Sequence, residues 1–120
     1  MEISNNIIKN NNELARDKNT PAEVLAILAD YDDFIDYEDE DEYCEVRETV
    51  AMNKNTPAET LKKLAQDEDW KVRCGVAYNT KTPPETLAKL AKDEDSDVRY
   101  TVVAKNKNIP PETLKKTGKL

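Results

Sequence analysis

The sequence predicts an all-α protein, an α-solenoid built from short two-helix repeats. A motif of about 26 residues recurs along the chain, and each copy contains two short helical patterns. Glycine, which the tight turns of all-β folds often need, occurs only twice in 120 residues. Because 36% of the residues are charged and there is a single Phe and a single Trp, the composition suits a thin array in which each unit contacts only its neighbours.

The repeat is clearest between residues 53–78 and 79–104, which align without a gap. Upstream, residues 17–30 and 44–52 form the same unit, but additional residues separate its halves, so that Pro21 and Pro57 lie 36 residues apart rather than 26. We therefore expect a single domain, 1–120. Its units are predicted at about 17–52, 53–78 and 79–105, with half units at 4–16 and 106–120 and an acidic insert at about 31–43.

The first helix of each unit follows a Thr-Pro-x-Glu motif, as in Thr56-Pro57-Ala58-Glu59. Threonine is the predicted N-cap, proline suits the first helical position, and glutamate can return a hydrogen bond to the cap. Apolar residues then recur at helical spacing and predict a buried stripe. These residues are Leu25, Leu28, Ala29, Leu61, Leu64, Ala65, Leu87, Leu90 and Ala91.

The second helix follows an acidic turn, such as Asp67-Glu68-Asp69, whose negative charge the N-terminal end of a helix favours. Its predicted buried stripe consists of Val46, Val50, Ala51, Val72, Val76, Ala77, Val98, Val102 and Val103. The helix ends near Asn53, Asn79 or Asn106, and we interpret these asparagines as caps and turn formers.

The recurring pattern Asn-x-x-Thr-Pro-x-Glu-x-Leu-x-x-Leu-Ala-x-Asp-x-Asp-x-x-Val-Arg-x-x-Val-Ala resembles the leucine-rich repeat variant family and is more distantly similar to HEAT repeats. The resemblance covers residues 13–116 apart from the insert. It implies a right-handed superhelix of alternating α and 3₁₀ helices, with the second helix of each unit partly 3₁₀, and a role as an interaction scaffold. Some members of the family carry an iron–sulfur cluster, but such a cluster needs about four thiolates. This chain has only Cys44 and Cys74, so we expect no cofactor.

Catalysis and metal binding find little support in the residues. The chain has no histidine, the commonest general base, and no glycine-rich phosphate loop. Its carboxylates recur in every repeat, so we interpret them as structural and not catalytic residues. The residues from Asp30 onward do not match the pattern of an EF-hand calcium-binding loop. Phe34 and Ile35 occupy the positions where that pattern requires an oxygen ligand and a glycine. We expect a non-enzymatic protein that binds no metal.

The location predicted from the sequence is cytoplasmic. No apolar run approaches the roughly 18 residues that a membrane span requires, so we expect no membrane partner. The start of the chain lacks the pattern of a secretory signal. Cys44 and Cys74 are 30 residues apart without a CxxC pair, which indicates reduced thiols.

Arg47, Arg73 and Arg99 occupy the same position in successive units and should form a ladder. Each could pair with acids of the interhelical turns, such as Asp69 or Asp95, because guanidinium groups bind carboxylates in a forked geometry. The alternative is a basic stripe for an anionic partner. We favour the pairing.

The acidic insert is the least repetitive segment. Residues 30–48 contain eleven acids and one base, and aromatic side chains interleave with the acids. Insertions in repeat arrays lie on one face, which is often the binding face, although a solvated, mobile loop is the alternative. Trp70 could be a binding anchor or could cover the end of a neighbouring helix. The candidate partner-binding residues are Tyr31, Asp33, Phe34, Asp36, Tyr37, Asp39, Asp41, Tyr43 and Trp70.

These observations predict a scaffold for protein–protein interaction, whose partner is an unidentified protein with a basic protein as one candidate. The alternative is an acidic regulator that imitates nucleic acid through residues 31–45. The net charge of −7 disfavours direct nucleic-acid binding, although residues 105–120 carry five lysines against one acid. That basic end also leaves open self-association, in which it would contact the insert of a second copy.

Overall fold

The structure, a computed structural model, describes residues 11–30 and 41–105. Every regular element in these ranges is an α-helix, and no strand is present in them, as the sequence predicted. The helices are α1 (described at residues 11–16), α2 (Ala22–Ala29), α3 (Asp41–Met52), α4 (Ala58–Leu64), α5 (Trp70–Tyr78), α6 (Pro84–Leu90) and α7 (Ser96–Lys105).

The helices form two layers. We call α2, α4 and α6 the first helices and α3, α5 and α7 the second helices. The second helices form a row in which α5 packs against α3 on one side and against α7 on the other. Each first helix packs on the second helix of its own unit. The described residues therefore contain three consecutive helix pairs, α2 with α3, α4 with α5 and α6 with α7.

The core lies between these layers and consists of leucines from the first helices and valines from the second. Leu64 and Leu90 are each only 2% exposed, which confirms their predicted burial at equivalent positions. Burying a leucine or valine side chain contributes about 1.5–3 kcal/mol, so these repeated positions dominate stability. The fully buried aliphatic side chains are Leu25, Leu61, Leu87, Val46, Val50, Val72, Val76, Val98 and Val102.

The first helices begin differently from the prediction. Proline, not threonine, is the N-cap: Pro57 has extended backbone angles, and its carbonyl accepts the first helical bond from Leu61 N at 3.0 Å. No side chain caps these helices, so the predicted Thr-Pro-x-Glu capping box was wrong. The buried threonine instead donates to a carbonyl at the end of the preceding second helix, as Thr82 Oγ1 does to Val76 O at 2.7 Å. The last carbonyls of a helix lack helical partners, and the hydroxyl supplies one.

Helices α5 and α7 begin at aspartate N-caps. The carboxylate of Asp69 accepts a bond from Lys71 N at 2.8 Å, and that of Asp95 accepts one from Asp97 N at 2.8 Å. Both place negative charge at the positive end of a helix dipole, as predicted.

The 3₁₀ character that the resemblance implied for the second helices is not found in the described ones, since α3, α5 and α7 are α-helical. Bonds between residues three apart occur instead where a first helix ends. Gln66 N donates to Lys63 O at 3.0 Å, and Asp67 N donates to Leu64 O at 3.1 Å. These tighter bonds turn the chain quickly into the acidic turn.

Gly75 allows α5 to approach α3 closely. A Cβ atom at this position would lie 2.9 Å from the Cβ of Ala51 and 3.1 Å from the carbonyl oxygen of Glu48. Two small residues, Gly75 and Ala51, therefore set the separation of these helices.

Part of the predicted insert is helical. Residues 41–43, which we assigned to its end, lie within α3, and α3 begins three residues earlier in the repeat than α5 does. Residues 31–40 lie outside the described ranges, as do most of the predicted half units. No helix in 11–30 or 41–105 is long and apolar enough to cross a membrane.

Candidate functional site

A ladder of asparagines joins the C-terminal ends of successive second helices. Asn79 Nδ2 donates to the carbonyls of Ala51, at 2.7 Å, and Asn53, at 3.0 Å. One unit earlier, Asn53 Nδ2 donates to Ala15 O at 2.8 Å and to Asp17 O at 3.0 Å. Both amides are buried and, as predicted, also form turns, since the Asn79 side-chain oxygen accepts from Lys81 N.

A ladder of arginines joins the N-terminal ends of the same helices. Arg73 Nη1 donates to the carbonyl of Asp67 in its own unit at 2.8 Å, while Nε lies 2.9 Å from Oδ2 of Asp93 in the next unit. Arg47 repeats this ion pair with Asp67 at 2.9 Å. Because one ladder joins N-terminal ends and the other joins C-terminal ends, the second helices must lie parallel.

Pairing of the arginines with turn acids is thus present, but the partners differ from the examples we named. Asp67 and Asp93 bind the guanidinium groups, whereas the carboxylates of Asp69 and Asp95 cap helices. The hydrogen bond from Arg73 to Asp93 is the main cause that raises the pKa of Arg73 above its ordinary value, and burial opposes it. The ladder is structural, so it offers no free basic stripe at Arg47 or Arg73.

An aromatic stripe runs along the outer side of α5. Trp70, Cys74 and Tyr78 are four residues apart and therefore lie on one side of the helix. Trp70 is 41% exposed and Tyr78 is 50% exposed, while Val72 and Val76 on the opposite side are fully buried. The stripe is thus a surface feature and not part of the core.

The neighbouring second helices extend this stripe into a face. Tyr100 on α7 is 62% exposed and Met52 on α3 is 47% exposed. The Oγ1 atom of Thr101 on α7 lies 3.9 Å from Cys74 Sγ, and Met52 Cγ on α3 would lie 3.4 Å from a Cβ at Gly75, so the three helix surfaces adjoin. We call this surface the aromatic face; it consists of Met52, Trp70, Cys74, Tyr78 and Tyr100.

Charged residues border the aromatic face on two sides. Exposed acids occur at or just before the N-terminal ends of the second helices, and exposed lysines occur at their C-terminal ends or in the turns that follow. Because the helices are parallel, acids predominate along one side and lysines along the other, with Lys71 interrupting the acids at the position equivalent to Asp97. We call Glu68, Glu94 and Asp97 the acidic edge, and Lys54, Lys81 and Lys105 the basic edge.

The other features of the described residues are less suited to binding chemistry. Burial raises the pKa of the half-buried Cys74 thiol, which makes it a poorer nucleophile. No cluster of side chains within 11–30 and 41–105 could hold a metal ion. An open depression of about 610 Å³ between α2 and α4 carries both signs of charge; it is lined by Ala29, Glu59, Lys62, Lys63, Leu64, Gln66 and Asp67.

Comparison with known families identifies the repeat. Residues 45–69 and 70–95 each match the family model of the leucine rich repeat variant. These are two tandem leucine rich repeat variant repeats. No curated protein and no solved structure gives a significant match to the chain. The first match begins within α3 and the second begins at the first residue of α5, so the two matched repeats comprise most of α3 with α4, and α5 with α6.

The predicted site residues fall mostly outside the described part of this leucine rich repeat variant array. Of the nine candidates, Trp70 alone has a described side chain, and it lies on the aromatic face. Asp41 and Tyr43 belong to α3. The others, Tyr31, Asp33, Phe34, Asp36, Tyr37 and Asp39, lie outside the described residues.

The aromatic face around Trp70 was not predicted from the sequence. Cys74, at its centre, is half-buried and packs against the edge of the core. The signal was available, because Trp70, Cys74 and Tyr78 share a helical stripe that excludes the valines of the repeat.

Proposed function

We propose that the protein is a non-enzymatic, cytoplasmic scaffold that binds another protein through the aromatic face. The observation that carries this proposal is the placement of aromatic residues. All three aromatic side chains that the structure describes, Trp70, Tyr78 and Tyr100, are exposed on second helices, and the described core is aliphatic. Aromatic residues and methionine are enriched at protein interfaces, whereas folding would favour burying them.

The ladders make this face suitable for binding. The arginine and asparagine bonds hold α3, α5 and α7 in one orientation without using any residue of the aromatic face. A rigid surface loses little conformational entropy when a partner binds, which favours affinity. Leucine rich repeat variant repeats form helical arrays of this kind, which supports a scaffold role.

We also propose that the acidic insert attracts the partner. The excess of acids in residues 30–48 would accelerate the encounter with a basic protein. The insert and the aromatic face then have different roles, since charge governs the encounter and apolar contact governs the lifetime of the complex.

The test is a quantitative pull-down from a lysate of the source cells, comparing variants of the tagged full chain. Trp70→Ala/Tyr78→Ala should capture at least tenfold less partner than the wild type does. Lys63→Ala/Lys89→Ala, which changes exposed positions on the first helices, should retain it. The proposal fails if both double variants capture the partner equally while circular dichroism shows both folded.

Deleting residues 34–40 separates the role of the insert from that of the face. The deletion ends before α3 begins and removes only residues that the repeat alignment predicts as an insertion, so folding should persist, because shortening a connection changes little entropy. We expect slower association with the partner and nearly unchanged dissociation. If binding instead disappears above 0.5 M salt, an approximate threshold at which exposed charges are strongly screened, the acidic regulator that imitates nucleic acid is the better description.

A further inference from the structure

We propose that a second copy of this chain can cover the aromatic face, forming a two-fold dimer in which α5 packs antiparallel against α5 of the other copy. This inference uses the same surface as the proposed function but does not depend on it, because no other protein takes part.

The first argument is the charge pattern around the face. The acidic edge, with Glu68, Glu94 and Asp97, borders one side, and the basic edge, with Lys54, Lys81 and Lys105, borders the other. If a second copy is placed on the face by a two-fold axis that runs across the second helices, each acidic edge meets a basic edge. A surface of this kind is complementary to itself, which is what an isologous dimer requires.

The second argument is the apolar pattern along α5. The antiparallel arrangement places Trp70 of one copy opposite Tyr78 of the other, twice, with Cys74 between them near the axis. The helix bears aromatic residues at both ends of its exposed stripe and a small residue in the middle. Each Trp70–Tyr78 pair would bring two aromatic rings together, which is favourable, and the small Cys74 side chain would avoid a steric clash at the centre.

The third argument concerns neighbouring helices. Met52 on α3 and Tyr100 on α7 flank the central stripe on opposite sides and would extend the contact across three units. A face of a few side chains on three helices is typical of a weak association, which buries less than the roughly 800 Å² per partner of a standard interface, so we expect a dissociation constant in the micromolar range or weaker. Dimerisation would then be governed by protein concentration and would compete with any partner of the aromatic face.

Sedimentation velocity over a range of concentrations tests this dimer with the full chain. The wild type should sediment as 13.7 kDa at low concentration and shift toward two copies as concentration rises. Tyr78→Glu should remain monomeric at every concentration, with an unchanged helical circular dichroism signal.

Charge exchange tests the orientation. Lys54→Glu/Lys81→Glu makes both edges acidic, and Glu68→Lys/Glu94→Lys makes both edges basic, so each variant alone should be monomeric. An equimolar mixture should restore the dimer, because opposite edges meet again. The matched control Lys63→Glu/Lys89→Glu makes the same change of net charge on the first helices and should dimerise like the wild type.

Three results would overturn the proposal: a wild type that stays monomeric to millimolar concentration, a mixture that fails to associate, or a control as monomeric as the edge variants. A monomeric wild type would leave the pull-down result for Trp70→Ala/Tyr78→Ala intact, so failure of the dimer and failure of the scaffold function can be told apart.

Discussion

The guanidinium group of Arg73 and the carboxylate of Asp93 form a two-pronged ion pair between successive units, with Nε to Oδ2 at 2.9 Å and Nη2 to Oδ1 at 3.2 Å. The same carboxylate accepts Asp95 N at 2.9 Å. Asp93 therefore shapes the acidic turn of one unit and binds the helix of the unit before it. Both side chains are about one-tenth exposed, so this pair contributes more than a surface ion pair would.

Asp93→Asn should therefore destabilise the protein by about 1.5–3 kcal/mol, the range for hydrogen bonds to charged groups. Urea denaturation followed by circular dichroism measures the change. Glu94→Gln is the control, because Glu94 is highly exposed and lies 4.0 Å from Arg73. Equal effects of the two substitutions would show that the pair does not join the units.

Asn79→Ala should cost about 1–3 kcal/mol, because it leaves the buried carbonyls of Ala51 and Asn53 without the amide donor. Lys81→Ala, on the exposed part of the same turn, should change stability by less than about 0.5 kcal/mol. The two variants are compared by their midpoints of urea unfolding. An effect of Asn79→Ala no larger than that of Lys81→Ala would mean that the asparagine ladder does not hold the helix ends together.

Gly75→Ala should destabilise by about 1–3 kcal/mol through overpacking against Ala51, although alanine normally favours helices by about 1 kcal/mol. A double-mutant cycle with Ala51→Gly provides the test, since removing the facing methyl group should recover part of the loss. Additive effects would show that the two residues do not limit the approach of α5 to α3.

Stability should fall at alkaline pH because of Cys74. Burial raises the pKa of its thiol above the ordinary value of 9.0. The folded protein therefore favours the protonated thiol more than the unfolded chain does. This contribution to stability is fully present below pH 9.0 and is lost as the pH rises through the folded-state pKa. The test compares Cys44→Ser with Cys44→Ser/Cys74→Ala. The free energy of unfolding of each protein is measured at pH 7.5 and at pH 10, values that roughly bracket a thiol pKa. The loss of stability between the two pH values should be larger for the protein that retains Cys74. Equal differences would mean that the thiol is not desolvated.

Much of this fold follows from the sequence because the repeat imposes the same constraints several times. The leucine and valine stripes predicted the two helices of each unit, and the burial of Leu64 and Leu90 agrees with that prediction. The pairing of polar side chains could not be predicted from the sequence. Asp67 and Asp69 are two residues apart in one turn, and only the three-dimensional path shows that Asp67 faces Arg47 while Asp69 caps α5.

The threonine bonds show the same limit. Thr-Pro-x-Glu matches a capping box in composition, yet Thr56 lies one residue too early and donates backward to Val50. The aromatic face depends on how three helices adjoin, so periodicity within α5 could indicate its central stripe but not the contribution of Met52 or Tyr100.

Site-specific photo-crosslinking tests most directly whether the aromatic face is where a partner binds. A photo-reactive phenylalanine analogue would replace Tyr78 in one version of the full chain and Lys89, on a first helix, in another. We expect a partner adduct from position 78 and none from position 89, with binding otherwise retained. Adducts from position 89 but not from position 78 would contradict the account, since they would place the partner on the first helices.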